Sequence, residues 1–142
     1  MYFLNGDRIY IAPVNRYASP EEQLYDCMER VTQIDEGKKI FKLNFFADTP
    51  SDEAYDELIS KIDSIVKFKF ITPVVYSVIS QPPVNCSILV EAFYYDPSLW
   101  KAFFIDEDCG QAILFKKDKA EVLIGNLQAG SHKHCRENAM KR

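Results

Sequence analysis

The stretch IFKLNFFADTPSD, residues 40–52, joins a strand pattern directly to the start of a helix. Its first seven residues alternate, with Phe41, Leu43 and Phe45 on one side and Lys42 and Asn44 on the other. A period of two predicts a half-buried strand. Thr49-Pro50-Ser51-Asp52 then places a capping threonine before a proline at the first helical position, which predicts that a helix begins at Pro50.

Two amphipathic helices are predicted, one before this strand in the sequence and one after it. Ser19-Pro20-Glu21-Glu22 has a capping serine, a proline at the first helical position and a glutamate three residues after the cap. The apolar stripe of the first helix consists of Leu24, Cys27, Met28 and Val31. That of the second consists of Ala54, Leu58, Ile62, Ile65 and Val66. Both stripes are expected to cover the same face of a sheet.

Further strands are predicted at Arg8–Val14, Val74–Ser80 and Cys86–Tyr95, which are rich in β-branched and aromatic residues. Two prolines in residues 81–85 prevent ladder hydrogen bonds there and predict a hairpin connection between the last two strands. Residues 1–95 therefore read strand, strand, helix, strand, helix, strand, strand. Helices on one face of a mixed sheet make an α+β domain.

Residues 96–142 have a different organisation. Asp96-Pro97-Ser98 predicts a short helix, and a second helix is predicted from about Ser131 to the end. Between them, two strands are predicted at Gln111–Phe115 and Glu121–Ile124, joined by a charged turn. The strand and Met-x-Arg helix pattern of residues 7–30 returns in weaker form in residues 120–142. We therefore interpret 96–142 as an extension that resembles the truncated start of a second copy of the domain.

Composition and charge restrict the class of protein. A chain of 142 residues with 47% hydrophobic residues fits one ordinary domain with a real core. A net charge of −4 with scattered basic residues argues against nucleic-acid binding. The N-terminal residues do not form a signal peptide, and no apolar run is long enough to span a membrane, so we expect a cytoplasmic protein.

The cysteine and histidine residues suggest no metal site or cofactor. The four cysteines, Cys27, Cys86, Cys109 and Cys135, form no C-x-x-C pair and are expected to be reduced thiols. His132-Lys133-His134-Cys135 offers zinc ligands, but no second cluster stands at a familiar spacing. A hydrated helix start is the favoured interpretation of that segment.

Several short segments resemble the RidA (YjgF, L-PSP) family. Gly6–Ile11 resembles its early strand, Glu22-Gln23-Leu24 the start of its first helix, and Val75–Tyr95 with Pro83 its closing hairpin. The resemblance covers residues 1–95, and the pattern is closest to the tandem chorismatase-like members. It implies a chorismate-mutase-like mixed sheet with two helices packed on one face. It also implies assembly as a homotrimer with clefts between subunits.

The residues on which the family's deaminase chemistry depends are mostly replaced. Active members carry an arginine that binds the substrate carboxylate, and alignment on Glu91 puts Val74 in its place. Ala12-Pro13 stands where they have a Ser-Gly pair, and Tyr76 where a cysteine is often found. A neighbouring basic group such as Arg8 or Arg16 could compensate for one of these substitutions, but several together argue against the family's usual chemistry.

Glu91 is the one candidate catalytic residue. It lies between Leu89 and Phe93 on one strand face, where a carboxyl group is hard to ionise and suits a general acid or base. The favoured interpretation is a paired or hydrated glutamate at a subunit rim. Candidates for the ligand-binding cleft are Val74, Tyr76, Tyr10 and Ala12.

These observations favour a RidA-like protein that binds a small carboxylate metabolite as a trimer or dimer, or that forms half of a tandem protein. One alternative is an enamine or imine deaminase with a divergent active site, or a chorismatase-like hydrolase. The other is a structural oligomerisation module. A non-catalytic role is favoured over retained catalysis, and no nucleic acid or membrane partner is expected.

Overall fold

The computed structural model describes Leu4 and residues 8–33, 37–70, 74–107 and 110–127. These ranges form two helices and seven strands, which confirms the α+β class. The elements are β1 (Arg8–Ile11), α1 (Pro20–Thr32), β2 (Lys39–Ala47), α2 (Asp52–Lys69), β3 (Val75–Ser80), β4 (Ile88–Tyr95), β5 (Lys101–Glu107), β6 (Gly110–Lys117) and β7 (Ala120–Leu127). Residues 128–142 lie outside the described residues, and with them the helix predicted from Ser131 and the helical part of the second copy of the repeat.

The helix caps form locally, close to where the sequence predicts them. The Ser19 hydroxyl accepts a hydrogen bond from the Glu22 N–H at 3.2 Å. The Ser51 hydroxyl accepts one from the Ala54 N–H at 3.1 Å, so the cap of α2 is Ser51 and not the predicted Thr49, and the helix begins at Asp52, two residues later than predicted. Each hydroxyl satisfies a donor that the first helical turn leaves unpaired.

Four strands form a mixed sheet in the order β1-β4-β2-β3. Strands β2 and β3 are parallel with α2 as their crossover, and β4 lies antiparallel to both β1 and β2. The predicted hairpin of β3 and β4 is therefore wrong. After the proline-containing loop the chain crosses β2 and adds β4 on its other side. Strand β4 is buried on both faces, which suits its central position between β1 and β2.

Both helices pack on one face of this sheet. The stripe of α1 is buried, and Ile62, Ile65 and Val66 of α2 join it over Leu43 and Val90. The Cys27 thiol lies in this core and donates a weak hydrogen bond to the Ile11 carbonyl at 3.6 Å. Burial raises the pKa of Cys27 to about 12, so this thiol remains protonated and unreactive at neutral pH.

The opposite face of the sheet is covered at one end by a second, antiparallel sheet, β5-β6-β7, which we call the meander. The rings of Phe41 and Tyr95 lie 5.1 and 4.9 Å from the ring of Phe115. Trp100 and Ile113 complete this second core. The short helix predicted after Asp96 is absent from the described residues, since β5 begins at Lys101 and pairs with β6.

A β-bulge in β2 divides its side chains between the two cores. The register shifts between Ile40 and Lys42. Ile40 and Leu43 consequently both face the helices, whereas Phe41 faces the meander. The prediction that Phe41 shares a face with Leu43 is wrong, because an inserted residue reverses the alternation.

Removing the Phe115 ring should loosen the meander. We expect Phe115→Ala to lower the free energy of unfolding by about 3 kcal/mol or more, since a fully buried ring is replaced by a cavity. Trp100 is the single tryptophan and lies in the same core, so its fluorescence reports the change. Leu123→Ala, on the exposed outer side of the meander, is the control and should change stability by less than about 0.5 kcal/mol. Equal losses would contradict the packing described here.

Gln23 should stabilise the fold through hydrogen bonds. Its side chain is 1% exposed, donates to the carbonyl groups of Arg16 and Ala18, and accepts from the Ser87 N–H at 2.8 Å. We expect Gln23→Met, which conserves volume, to lower the free energy of unfolding by about 2 kcal/mol, because buried polar groups lose their partner. Chemical denaturation measures this, with the exposed Gln81→Met as control. Similar stability of the two variants would contradict the role of Gln23.

Candidate functional site

A row of four polar side chains crosses the sheet on the side of the meander. Tyr10 of β1 is the register partner of Glu91 of β4, Glu91 that of Asn44 of β2, and Asn44 that of Ser77 of β3. Register partners on adjacent strands lie side by side on the same face. We call these four residues the polar row.

Hydrogen bonds connect the polar row from β3 to β4. The Ser77 hydroxyl donates to Asn44 Oδ1 at 2.6 Å, and Asn44 Nδ2 donates to Glu91 Oε1 at 2.9 Å. The other carboxylate oxygen, Glu91 Oε2, lies 3.8 Å from Arg8 Nε. Glu91 is only 7% exposed, and a buried carboxylate is tolerated when such partners are present.

The surroundings of Glu91 differ from those its own strand suggests. Leu89 and Phe93 flank it along β4, but Asn44, Tyr10 and Arg8 lie beside it on the neighbouring strands or diagonal to it. The apolar environment expected from the strand pattern is therefore wrong. Cross-strand neighbours depend on register, which the residues of a single strand do not reveal.

Tyr10 forms the exposed end of the polar row. Its hydrogen bond to the Glu91 carboxylate raises the pKa of the Tyr10 phenol, with desolvation and the negative charge of Glu91 acting in the same direction. The Arg8 guanidinium group lies 5.5 Å from the centre of the Tyr10 ring. Tyr10 is 53% exposed and the Arg8 side chain 45%, so a small molecule can reach both.

The polar row is bordered by the meander on one side and by an apolar row on the other. Leu89, Phe46 and Ile79 are the next register partners along the sheet, and all three are partly or fully accessible. None of the three belongs to the hydrophobic core under the meander, and their row together with the polar row forms what we call the open half of the sheet. An accessible guanidinium group and phenol next to a largely buried carboxylate and apolar side chains can bind a small, hydrogen-bonding organic molecule.

The structure brings together some of the sequence-predicted site residues and separates others. Tyr10 and Glu91 are adjacent, and Arg8 is the nearby basic group. Val74 and Tyr76 instead face the helices, each 3% exposed in the main core, where the Tyr76 hydroxyl donates to Asp63 Oδ1 at 3.1 Å. Both side chains are therefore buried on the face of the sheet opposite Glu91.

The remaining candidates lie away from the polar row. Ala12 follows β1 and is exposed, with its carbonyl group accepting a hydrogen bond from Arg30. The Arg16 guanidinium group lies 5.0 Å from the ring of Tyr17. Sequence reasoning missed Asn44 and Ser77, although Asn44 stood on the polar side of its predicted strand. The missing signal was the pairing of β2 with both neighbours.

Metal and membrane sites were also searched for in the described residues. No group of three or more histidine, cysteine or acidic side chains is close enough there to hold a metal ion, and residues 132–135 lie outside that part of the chain. Neither described helix has the length and apolar character to cross a membrane. Comparisons of the chain with models of known protein families, with curated proteins and with solved structures found no match.

The phenol of Tyr10 should report the carboxylate of Glu91. In the intact protein we expect Tyr10 to titrate above the ordinary value of about 10. In Glu91→Gln its pKa should fall, because an amide carries no charge to oppose the phenolate. Carbon-13 NMR of labelled tyrosine measures this, and Tyr10→Phe assigns the signal. An unchanged pKa in Glu91→Gln would contradict the contact.

Proposed function

We propose that this chain is a RidA-like domain that has lost the usual deaminase arginine and binds a small carboxylate metabolite at the polar row. The observation that carries the proposal is the pairing of Arg8 with Glu91 of the polar row. The fold is compatible with it. A mixed sheet with two helices on one face is part of the arrangement that the resemblance implies, whereas the closing hairpin that it also implies is not formed, because β2 lies between β3 and β4.

The positions of Arg8 and Tyr10 favour binding of a molecule with both an acidic and a donor group. Arg8 turns its Nε toward Glu91 and keeps nearly half of its side chain accessible, so a ligand carboxylate can contact the guanidinium group. A neighbouring amino, imino or hydroxyl group on the ligand can donate to Glu91. The half-exposed ring of Tyr10 then provides a wall for the ligand.

The contacts of Glu91 favour binding over catalysis. One of its oxygens accepts from Asn44, and the other faces Arg8. A carboxylate that activates water needs an oxygen directed at that water. An imine deaminase with Arg8 in place of the usual arginine is the second candidate, favoured by the presence of a cation and a carboxylate at one site.

Self-association is part of the proposal. The apolar row of the open half includes Ile79, which is 36% exposed, and the outer side of the meander exposes Phe103 and Leu123. Exposed sheet surface of this kind favours association. A trimer or dimer that covers it would also enclose the polar row in a cleft between subunits.

Calorimetric titration with short 2-oxo acids and amino acids tests the proposal. We expect at least one acid to bind, and Arg8→Ala to weaken its binding about tenfold, which is the effect of losing one charge-assisted hydrogen bond. Arg16→Ala is the matched control, since Arg16 lies on the exposed loop before α1. Equal affinities of the two variants would refute the site, as would no binding of any acid to the intact protein.

Two further measurements separate the candidates. Ammonia release from an imine generated in the assay, if abolished in Glu91→Gln, would support the deaminase instead of a binding protein. Light scattering at micromolar concentration should report a trimer or dimer. A clean monomer with and without the bound acid would refute the assembly.

A further inference from the structure

A groove lies between the two helices, on the face of the sheet opposite the polar row. It has a volume of about 330 Å³, at the lower end of the range for small-molecule sites. Leu24, Ala47 and Ile88, each no more than 3% exposed, form its floor, and Leu58 of α2 forms a wall. The floor is therefore apolar and already in place.

The mouth of the groove is acidic. Glu21 of α1, Asp48 after β2 and Glu57 of α2 line it, together with one cation, Lys61. Lys61 Nζ lies 3.9 Å from Glu21 Oε2, so this pair connects the two helices across the groove. Within the described part of the chain, Asp48 and Glu57 make no ion pair, which leaves two carboxylates uncompensated at the mouth.

Hydrogen bonds hold both ends of the groove. Ser87 lines it, and its N–H donates to the buried side chain of Gln23 at 2.8 Å. At the other end, the Thr49 hydroxyl lies 2.5 Å from the Ser80 hydroxyl. Little rearrangement is needed before a ligand enters, which reduces the cost of binding.

We propose that this groove binds a small organic cation, an ammonium group carried on an aryl or alkyl body. The apolar body displaces water from Leu24 and Ile88, and the ammonium group stays at the mouth near Asp48 and Glu57. An anion of the same shape is repelled by these two uncompensated carboxylates. The site is separate from the polar row, because the sheet lies between them.

Titration of the intact protein with phenethylammonium, followed by methyl NMR, tests the proposal. We expect shifts at the methyl groups of Ala54 and Leu58, and weaker binding of 2-phenylethanol, which has the same ring and chain without the charge. Glu57→Gln should lower the association constant about fivefold, and Lys61→Met should raise it by a similar factor. Glu53→Gln, exposed on α2 and away from the groove lining, should leave it unchanged.

Opposite responses of Glu57→Gln and Lys61→Met would support the proposal, because a merely structural role predicts no gain from removing Lys61. Circular dichroism melting of each variant shows that it is folded before titration. Equal binding of the neutral alcohol would overturn the proposal. So would equal effects of Glu57→Gln and Glu53→Gln, or methyl shifts confined to the open half of the sheet.

Discussion

The central position of β4 is the constraint on which the other layers depend. It pairs with β1 on one side and β2 on the other, and both of its faces are covered. Val90, Ala92 and Tyr94 pack under the helices, whereas Phe93 and Tyr95 pack under the meander. One strand therefore contributes to both hydrophobic cores, so neither core can rearrange without disturbing the other.

The bulge in β2 has a similar effect over a shorter distance. Because of it, adjacent residues Ile40 and Phe41 enter different cores. The ring of Phe41 contacts Phe93, Tyr95 and Phe115, which links the sheet to the meander through edge-to-face and tilted aromatic pairs. A regular strand would place that ring under the helices and leave the meander without it.

Local sequence signals predicted most helices, strands and turns, but they did not predict which strands pair. Ser19 caps α1 as predicted, through a contact within three residues, whereas the cap of α2 was predicted at Thr49 and is formed two residues later by Ser51. The charged turn between β6 and β7 was also predicted from local sequence. The crossover of β4, the strand β5 and the bulge depend on partners far along the chain, and no short pattern encodes them.

The candidate site was likewise predicted where local sequence was sufficient and missed where strand pairing decides. Glu91 and Tyr10 were identified from the sequence, and the structure adds Asn44 and Ser77 because they share their register. Val74 and Tyr76 were assigned to the cleft by alignment, yet Ser77 is the residue of β3 that lies in the same row as Glu91. Successive side chains of a strand point to opposite faces, so an alignment error of one residue assigns a side chain to the wrong face of the sheet.

The meander covers only part of the sheet, so residues needed for stability and residues available for binding lie in different places. The aromatic residues under the meander hold the layers together, whereas Ser77, Ile79 and Tyr10 on the open half lie outside both hydrophobic clusters. Substitutions of the exposed Tyr10 and Ile79 alter what the surface recognises at little cost to folding. Such a chain can change its specificity during evolution while its scaffold stays the same.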